Sequence, residues 1–370
     1  MTQAWITLLA ELARAGEVVT GPAGGRTDRE VAEGYRHLTR VFAIAAEMLV
    51  EKGDPEHPAF TRWMTAHRKM YGDNPGTVYD AAVIRGDLSY VIRGSRGSSA
   101  YLGVCLYGTA ADGAKRIAGN VDDDELTVAG DGTFELWLGG PARSSDWLPL
   151  EPDVTEVMVR QYFVDPRTEV AGAYRIECVP SLGPPPPLTQ EALGARLAAL
   201  GRYVRETVEA ETALSALSSS MSQAVFRSGR EYVDAAGEAT AAPVDVSAVV
   251  RVMPTPAIQY SGQWFDDLTE DEALLVEGVV PECRYWSIQL LTRFMESADW
   301  EHHPVFLTGS DIVAGADGGF RVVVAHHDPG VPNWIATTGL TSANVAVRAL
   351  KAAGVLDVAF RRVALADLQD

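Results

Sequence analysis

Cysteine is scarce in this chain: Cys105, Cys178 and Cys283 stand far apart among 370 residues, each in an apolar run. That spacing excludes a disulfide framework and a C-x-x-C metal site, leaving small buried hydrophobes. Positive charge is short as well, with 31 Lys and Arg against 50 Asp and Glu, a net charge of −19. Such a field repels nucleic-acid phosphates and anionic membrane surfaces, so neither is an expected partner. No stretch approaches the roughly 20 apolar residues of a membrane span. Met1–Ala15 carries Glu11 and no early Lys or Arg, unlike a signal peptide, so cytoplasm is the expected location. G-x-S-x-G, H-x-H, H-E-x-x-H and a Gly-rich nucleotide fingerprint are all missing. The simplest esterase, zinc and dinucleotide readings fall with them, and no organic cofactor is expected.

What is present is an ordinary globular composition, 47% hydrophobic and 22% charged, long enough for more than one core. Thr2–Ala15 reads as a helix stopped by Gly16. Thr27-Asp28-Arg29-Glu30 is a capping box opening an amphipathic helix with Val31, Tyr35, Leu38, Phe42, Ala45 and Leu49 on one face. A further helix is expected over Pro58–Lys69, and Tyr71–Gly76 is dense turn chemistry. Short β runs follow at Val78–Ile84, Tyr90–Arg93, Ala100–Tyr107, Leu126–Ala129, Phe134–Leu138, Val154–Val164 and Tyr174–Val179. Pro184–Pro187 is a stiff connector, and Thr189 opens a helix reaching about Leu217, broken by Ser218–Ser220. Ser228–Pro243 reads as loop. Strands resume at Ala257–Tyr260, Ala273–Val280, Tyr285–Leu291, Phe320–Ala325, Asn344–Leu350 and Val355–Val363. The expected fold is α+β, with antiparallel β-sandwich or jelly-roll-like layers and N-terminal and central helical segments. Its expected divisions are 1–75 helical, 76–183 β-rich, 184–245 connector and helix, and 246–370 β-rich.

The densest polar stretch is His326-His327-Asp328-Pro329-Gly330-Val331-Pro332-Asn333-Trp334, at the end of an apolar strand. A second loop, Arg293–His303, holds Glu296, Asp299 and two histidines. Were Tyr285–Leu291 and Phe320–Ala325 neighbours, both loops would meet at one sheet end. His326 is then the candidate base or acid, Asp328 its orienter, and Glu296 or Asp299 a second carboxylate. Asn333, Trp334 and Trp286 are candidate substrate contacts. The plainer alternative is a hydrogen-bonded polar corner with Asp328 capping backbone amides. Adjacent histidines on a strand face opposite ways, so a metal site is a minor alternative. Arg93-Gly94-Ser95-Arg96-Gly97 resembles an anion nest, and Arg160 belongs to the same basic group. Ordinary ion pairing accounts for each arginine singly. Asp122–Glu125 offers carboxylates for Mg²⁺ but reads first as a solvated turn.

Several strings resemble a bacterial family known as domain of unknown function 1214. They are Arg68-Lys69-x-Tyr71-Gly72-Asp73-Asn74-Pro75, Tyr90-x-x-Arg93-Gly94-x-Arg96-Gly97, Leu150-Glu151-Pro152-Asp153, Val159–Phe163, Tyr285-Trp286-Ser287-x-Gln289-Leu290, Glu296-Ser297-x-Asp299 and Ala325-His326-x-Asp328-Pro329-Gly330-x-Pro332-Asn333-Trp334. The resemblance spans nearly the whole chain and implies β-sandwich layers with helical additions. Relatives are found near genes for catabolism of small hydrophobic or aromatic compounds, and the resemblance implies no particular reaction. Relatives often carry Gly-His after the Asn-Trp loop, where this chain has Gly339-Leu340, and this turns attention to His326.

The expected function is an enzyme acting on a small, largely apolar molecule by acid–base chemistry, as a hydrolase, lyase or isomerase. An anionic or phosphorylated substrate is the variant that the arginines suggest. The alternatives are a non-catalytic small-molecule binding protein and a structural or assembly protein, with a homo-oligomer open to any of them.

Overall fold

The computed structural model describes residues 1–109, 115–220, 225–227, 231–233, 239–240, 253 and 255–369. The fold is α+β with four sheets. Two compact units share the chain. One is built on Met1–Lys69 and Thr77–Ala210, the other on Met70–Gly76 and most of the chain from Glu211 onward.

In the first unit, the opening helix runs Thr2–Val19, past the expected stop at Gly16. A glycine inside a helix costs about 1 kcal/mol, and burying Val19 completely offsets that. The Thr27 hydroxyl accepts from the Glu30 amide at 3.2 Å and starts the helix Asp28–Ala45. Glu30 reaches one residue further back than the box predicts, accepting from the Arg26 amide at 2.6 Å. Pro58–Lys69 is not a helix. Thr61–Arg62 forms a short strand against Ala81 and Asp80, and Thr65 bridges Arg68. Buried Thr61 and Trp63 flank exposed Arg62, a strand alternation that the helical reading passed over.

The five-stranded sheet here runs in the order Thr61–Arg62, Thr77–Val83, Val154–Tyr162, Tyr101–Thr109, Lys115–Asp122. A four-stranded sheet orders Trp147–Leu148, Thr133–Leu138, Tyr90–Gly97, Ala171–Cys178. Leu102, Val104, Leu106, Val157 and Val159 from the larger sheet share one core with Ile92, Leu136, Leu138 and Ile176 from the smaller. Side chains alternate along a strand, so Tyr101, Cys105, Tyr107, Glu156, Met158, Arg160 and Tyr162 point the other way. They are buried there too. Leu126–Ala129, expected as a strand, contributes only the bridge Val128–Phe134, and the strand Lys115–Asp122 was not anticipated.

The helix Gln190–Ser220 carries on through its serines. Each hydroxyl bonds back to a carbonyl three or four residues earlier, Ser218 to Leu214 and Ser220 to Leu217. Of the loop expected over Ser228–Pro243, residues 228–230, 234–238 and 241–243 lie outside the described residues. Glu231–Val233 and Ala239–Thr240 are strands.

The second unit places Val225–Arg227, Ile258–Phe265, Ala343–Leu350, Tyr285–Leu291 and Phe306–Thr308 side by side in a seven-stranded sheet. Its four-stranded sheet orders Trp334–Ala336, Gly319–Ala325, Glu272–Val279, Val358–Ala364. Tyr285–Leu291 and Gly319–Ala325 are therefore in different sheets and are not neighbours. They face each other through a common core in which Trp286 lies 4.9 Å from the Phe320 ring.

Candidate functional site

Side chains of the loop after Gly319–Ala325 are fastened by hydrogen bonds, most of them to groups outside the loop. His326 Nε2 lies 2.8 Å from the Leu268 carbonyl and Nδ1 lies 2.6 Å from the Thr337 hydroxyl. In the neutral ring Nε2 donates to the carbonyl and Nδ1 accepts from the hydroxyl, so both nitrogens are engaged. Asp328 does not orient His326. Its Oδ1 accepts from the Gly330 amide at 2.8 Å, with Gly330 at φ +74, the capping role that the plainer reading gives it. Asn333, itself at φ +59, spends its side-chain amide on Val313 and Arg321 backbone groups at 2.8–3.0 Å. Trp334 Nε1 donates to the Ala325 carbonyl at 3.3 Å. His327 meets Glu270 at 2.5 Å in an exposed pair.

Glu296 is buried in the turn after Tyr285–Leu291, and Trp286 packs in the core. Asp299 accepts from His302 Nδ1 at 3.0 Å. Burial works to raise the Asp299 carboxyl, but the hydrogen bond and charge of His302 outweigh it and hold the carboxyl below its usual range. Glu296, Trp286 and Asp299 belong to the same unit as His326, whose ring nitrogens are taken up by Leu268 and Thr337.

The arginines lie in the first unit. Arg93 sits in an extended strand, so no nest forms, and it pairs with Glu135 at 2.6 Å and Glu177 at 3.0 Å. Arg96 pairs with Asp123, joining the basic string to the acidic run. Oxygens of Asp122, Asp123 and Asp124 lie within 4.8 Å of one another. The run is a turn as expected, with Asp124 and Glu125 exposed and Asp122 buried at its start, 6% exposed.

Arg160 differs from all of these. It is 4% exposed, and no carboxylate pairs with it among the described residues. Nη1 donates to the Tyr107 hydroxyl at 2.7 Å, and the guanidinium lies 5.5 Å from the Tyr107 ring centre and 6.0 Å from that of Tyr79. Nε is buried without a hydrogen-bond partner. Burial opposes the charge, while Tyr107, Tyr162 and Cys105 favour it, and the balance keeps Arg160 protonated. In register it stands between Tyr79 and Gly103, and beyond Gly103 comes Asp122. Gly103 adds no side chain to this row, and the Tyr101 phenol folds over it. A Cβ there would stand 2.4 Å from the Tyr101 hydroxyl.

Two features were not expected as sites, although the strings that carry the resemblance include the residues of the second. Glu156, four residues before Arg160 on the same face, is 6% exposed with Oε1 buried and unpaired. Its presence in an apolar strand was the only available signal. The other is a buried polar cluster in the second unit. Asp73 accepts from Ser297, Gln289 donates to the Asp73 carbonyl at 2.7 Å, and Asn74 exchanges hydrogen bonds with Tyr285.

An uncharacterized protein from Burkholderia cenocepacia, known from its crystal structure, is 30% identical to this chain, with a TM-score of 0.87, covering 99% of this chain and 98% of that one. This chain belongs to the same family. The VPA0106 protein from Vibrio parahaemolyticus aligns over 95% of this chain and 100% of its own at 12% identity and a TM-score of 0.49. No protein-family profile and no curated protein matches the chain. Among the described residues, no helix is long and apolar enough to cross a membrane.

Proposed function

We propose that this protein binds a small, largely apolar molecule carrying a carboxylate or phosphate, with Arg160 as its anion anchor, and acts on it by acid–base chemistry. The observation that carries the reading is a buried guanidinium with no carboxylate partner among the described residues. Leaving a buried charge uncompensated costs several kcal/mol, and such unexplained buried groups gather at functional sites. An organic anion supplies the missing partner. The rings of Tyr79, Tyr101, Tyr107 and Tyr162 suit the apolar remainder, which matches the compound class suggested by the resemblance to domain of unknown function 1214. The Tyr101 phenol must swing off Gly103 to admit the ligand beside Arg160. The proposed setting is cytoplasmic, with no nucleic-acid partner.

A second reading, binding without turnover, is favoured by His326 having both ring nitrogens engaged and by Asp299 being taken by His302. Calorimetric titration tests the anchor with benzoate and inorganic phosphate. One or both should bind the wild type and fail with Arg160→Met. Binding of neither, or equal binding by the variant, removes the proposal. A bound compound recovered unchanged after prolonged incubation decides for the second reading.

A further inference from the structure

We infer that Glu156 is the proton-bearing group facing the molecule held by Arg160, and that it donates to a carbonyl oxygen at that molecule's far end. This rests on the anion-anchor reading above and adds a substrate class to it: an aromatic acid bearing a carbonyl opposite its carboxylate.

The geometry begins with strand alternation. Glu156, Met158 and Arg160 project from one face of Val154–Tyr162, and the two ends stand about 13 Å apart at a rise of ~3.3 Å per residue. Tyr107 pairs in register with Glu156, yet its hydroxyl reaches Arg160 at 2.7 Å. A single phenol ring therefore already spans the stretch between the two groups, a length that an aromatic acid matches. Met158, Cys105 and Ala81 make the apolar row between the ends, each at most 1% exposed.

Glu156 has no hydrogen bond or ion pair among the described residues. The ionisable groups around it are Tyr107 and Cys105 from Tyr101–Thr109, Lys115 from Lys115–Asp122, and Arg160 on its own strand. The strand Thr77–Val83 brings only Val83 and Ala81 to this stretch. Burial raises the Glu156 carboxyl, and the fields of Lys115 and Arg160 lower it less than burial raises it. A neutral acid in an apolar site is a hydrogen-bond donor of the kind that general acid chemistry requires. In the complex the Glu156 O–H donates a hydrogen bond to a lone pair of the ligand's carbonyl oxygen; the O–H bond stays intact, and the donation draws electron density from the carbonyl carbon.

The test compares benzoate with 4-acetylbenzoate on the wild type, Glu156→Gln and Glu156→Val, with folding checked by circular dichroism. The readout is the ratio of the two affinities within each protein, so that any effect of the Glu156 substitution on the Arg160 anchor is shared by both probes and cancels. The acetyl group should add about tenfold in affinity to the wild type. That gain should survive in part in Glu156→Gln, which keeps a donor, and vanish in Glu156→Val. The ketone carbonyl stretch of the bound probe should move to lower frequency in the wild type, by less in Glu156→Gln, and not at all in Glu156→Val. If benzoate binds but the acetyl group adds nothing and its stretch is unmoved, the Glu156 inference falls while the Arg160 reading stands. If phosphate binds and benzoate does not, the Glu156 inference falls alone; if neither binds, both fall.

Discussion

Ser297 gives both its backbone amide and its hydroxyl to the carboxylate of Asp73, at 2.7 and 2.6 Å, across 224 residues of sequence. Both residues are 3% exposed. With Gln289 on the Asp73 carbonyl and Arg348 donating to the Gly72 carbonyl at 3.0 Å, this pair fixes Met70–Gly76 within the second unit.

Removing the Asp73 carboxylate strands two buried donors. Asp73→Ala should cost about 3 kcal/mol, from roughly 1–3 kcal/mol per unsatisfied group. Asp73→Asn, which keeps acceptor capacity, should cost less. Urea denaturation measures both, and a loss below about 1 kcal/mol for the alanine variant contradicts the role assigned to the pair.

Glu156 sets a pH dependence whose sign is fixed by the direction of its shift. Its folded carboxyl is raised above the ordinary 4.5 by burial, against the lowering fields of Lys115 and Arg160. Above that value the unfolded chain releases a proton that the folded chain keeps, so stability falls as pH climbs towards the folded value. Glu156→Gln cannot titrate. Its melting temperature relative to wild type should therefore rise steadily with pH from about 4.5 upward. A difference that stays flat or shrinks over that range means that Glu156 is ionised in the folded protein.

His326 is a fastening point for its loop. His326→Phe leaves the Leu268 carbonyl and Thr337 hydroxyl without their partner and should destabilise by about 1–3 kcal/mol. Benzoate affinity should be unchanged. A stable variant that has lost ligand binding or turnover returns His326 to the site.

The β-rich plan was legible because burial imposes a pattern. Tyr285–Leu291 and Asn344–Leu350 are apolar runs bounded by turn residues, and both are buried strands. Lys115–Asp122 was not legible, since its first six residues are only half-buried at the end of the sheet order and its residue types mix. The His326 loop was legible as a polar corner. Which partner each group takes was not, because a loop resolves competing hydrogen bonds by position and not by spacing. Arg160 could be named, but its lack of a paired carboxylate among the described residues is a property of register. Gly103 stands between it and Asp122. The Asp73 pair was illegible for a simpler reason: no local pattern links residues so far apart.

The most direct measurement is a crystal structure with 4-bromobenzoate, located by the anomalous signal of bromine. The account predicts one bromine site on the tyrosine-lined face of the first unit, the carboxylate on Arg160 and Tyr101 turned away from Gly103, and no such site in Arg160→Met. A bromine site elsewhere that persists in Arg160→Met, or a wild-type Arg160 still closed under Tyr101 at saturating ligand, contradicts it.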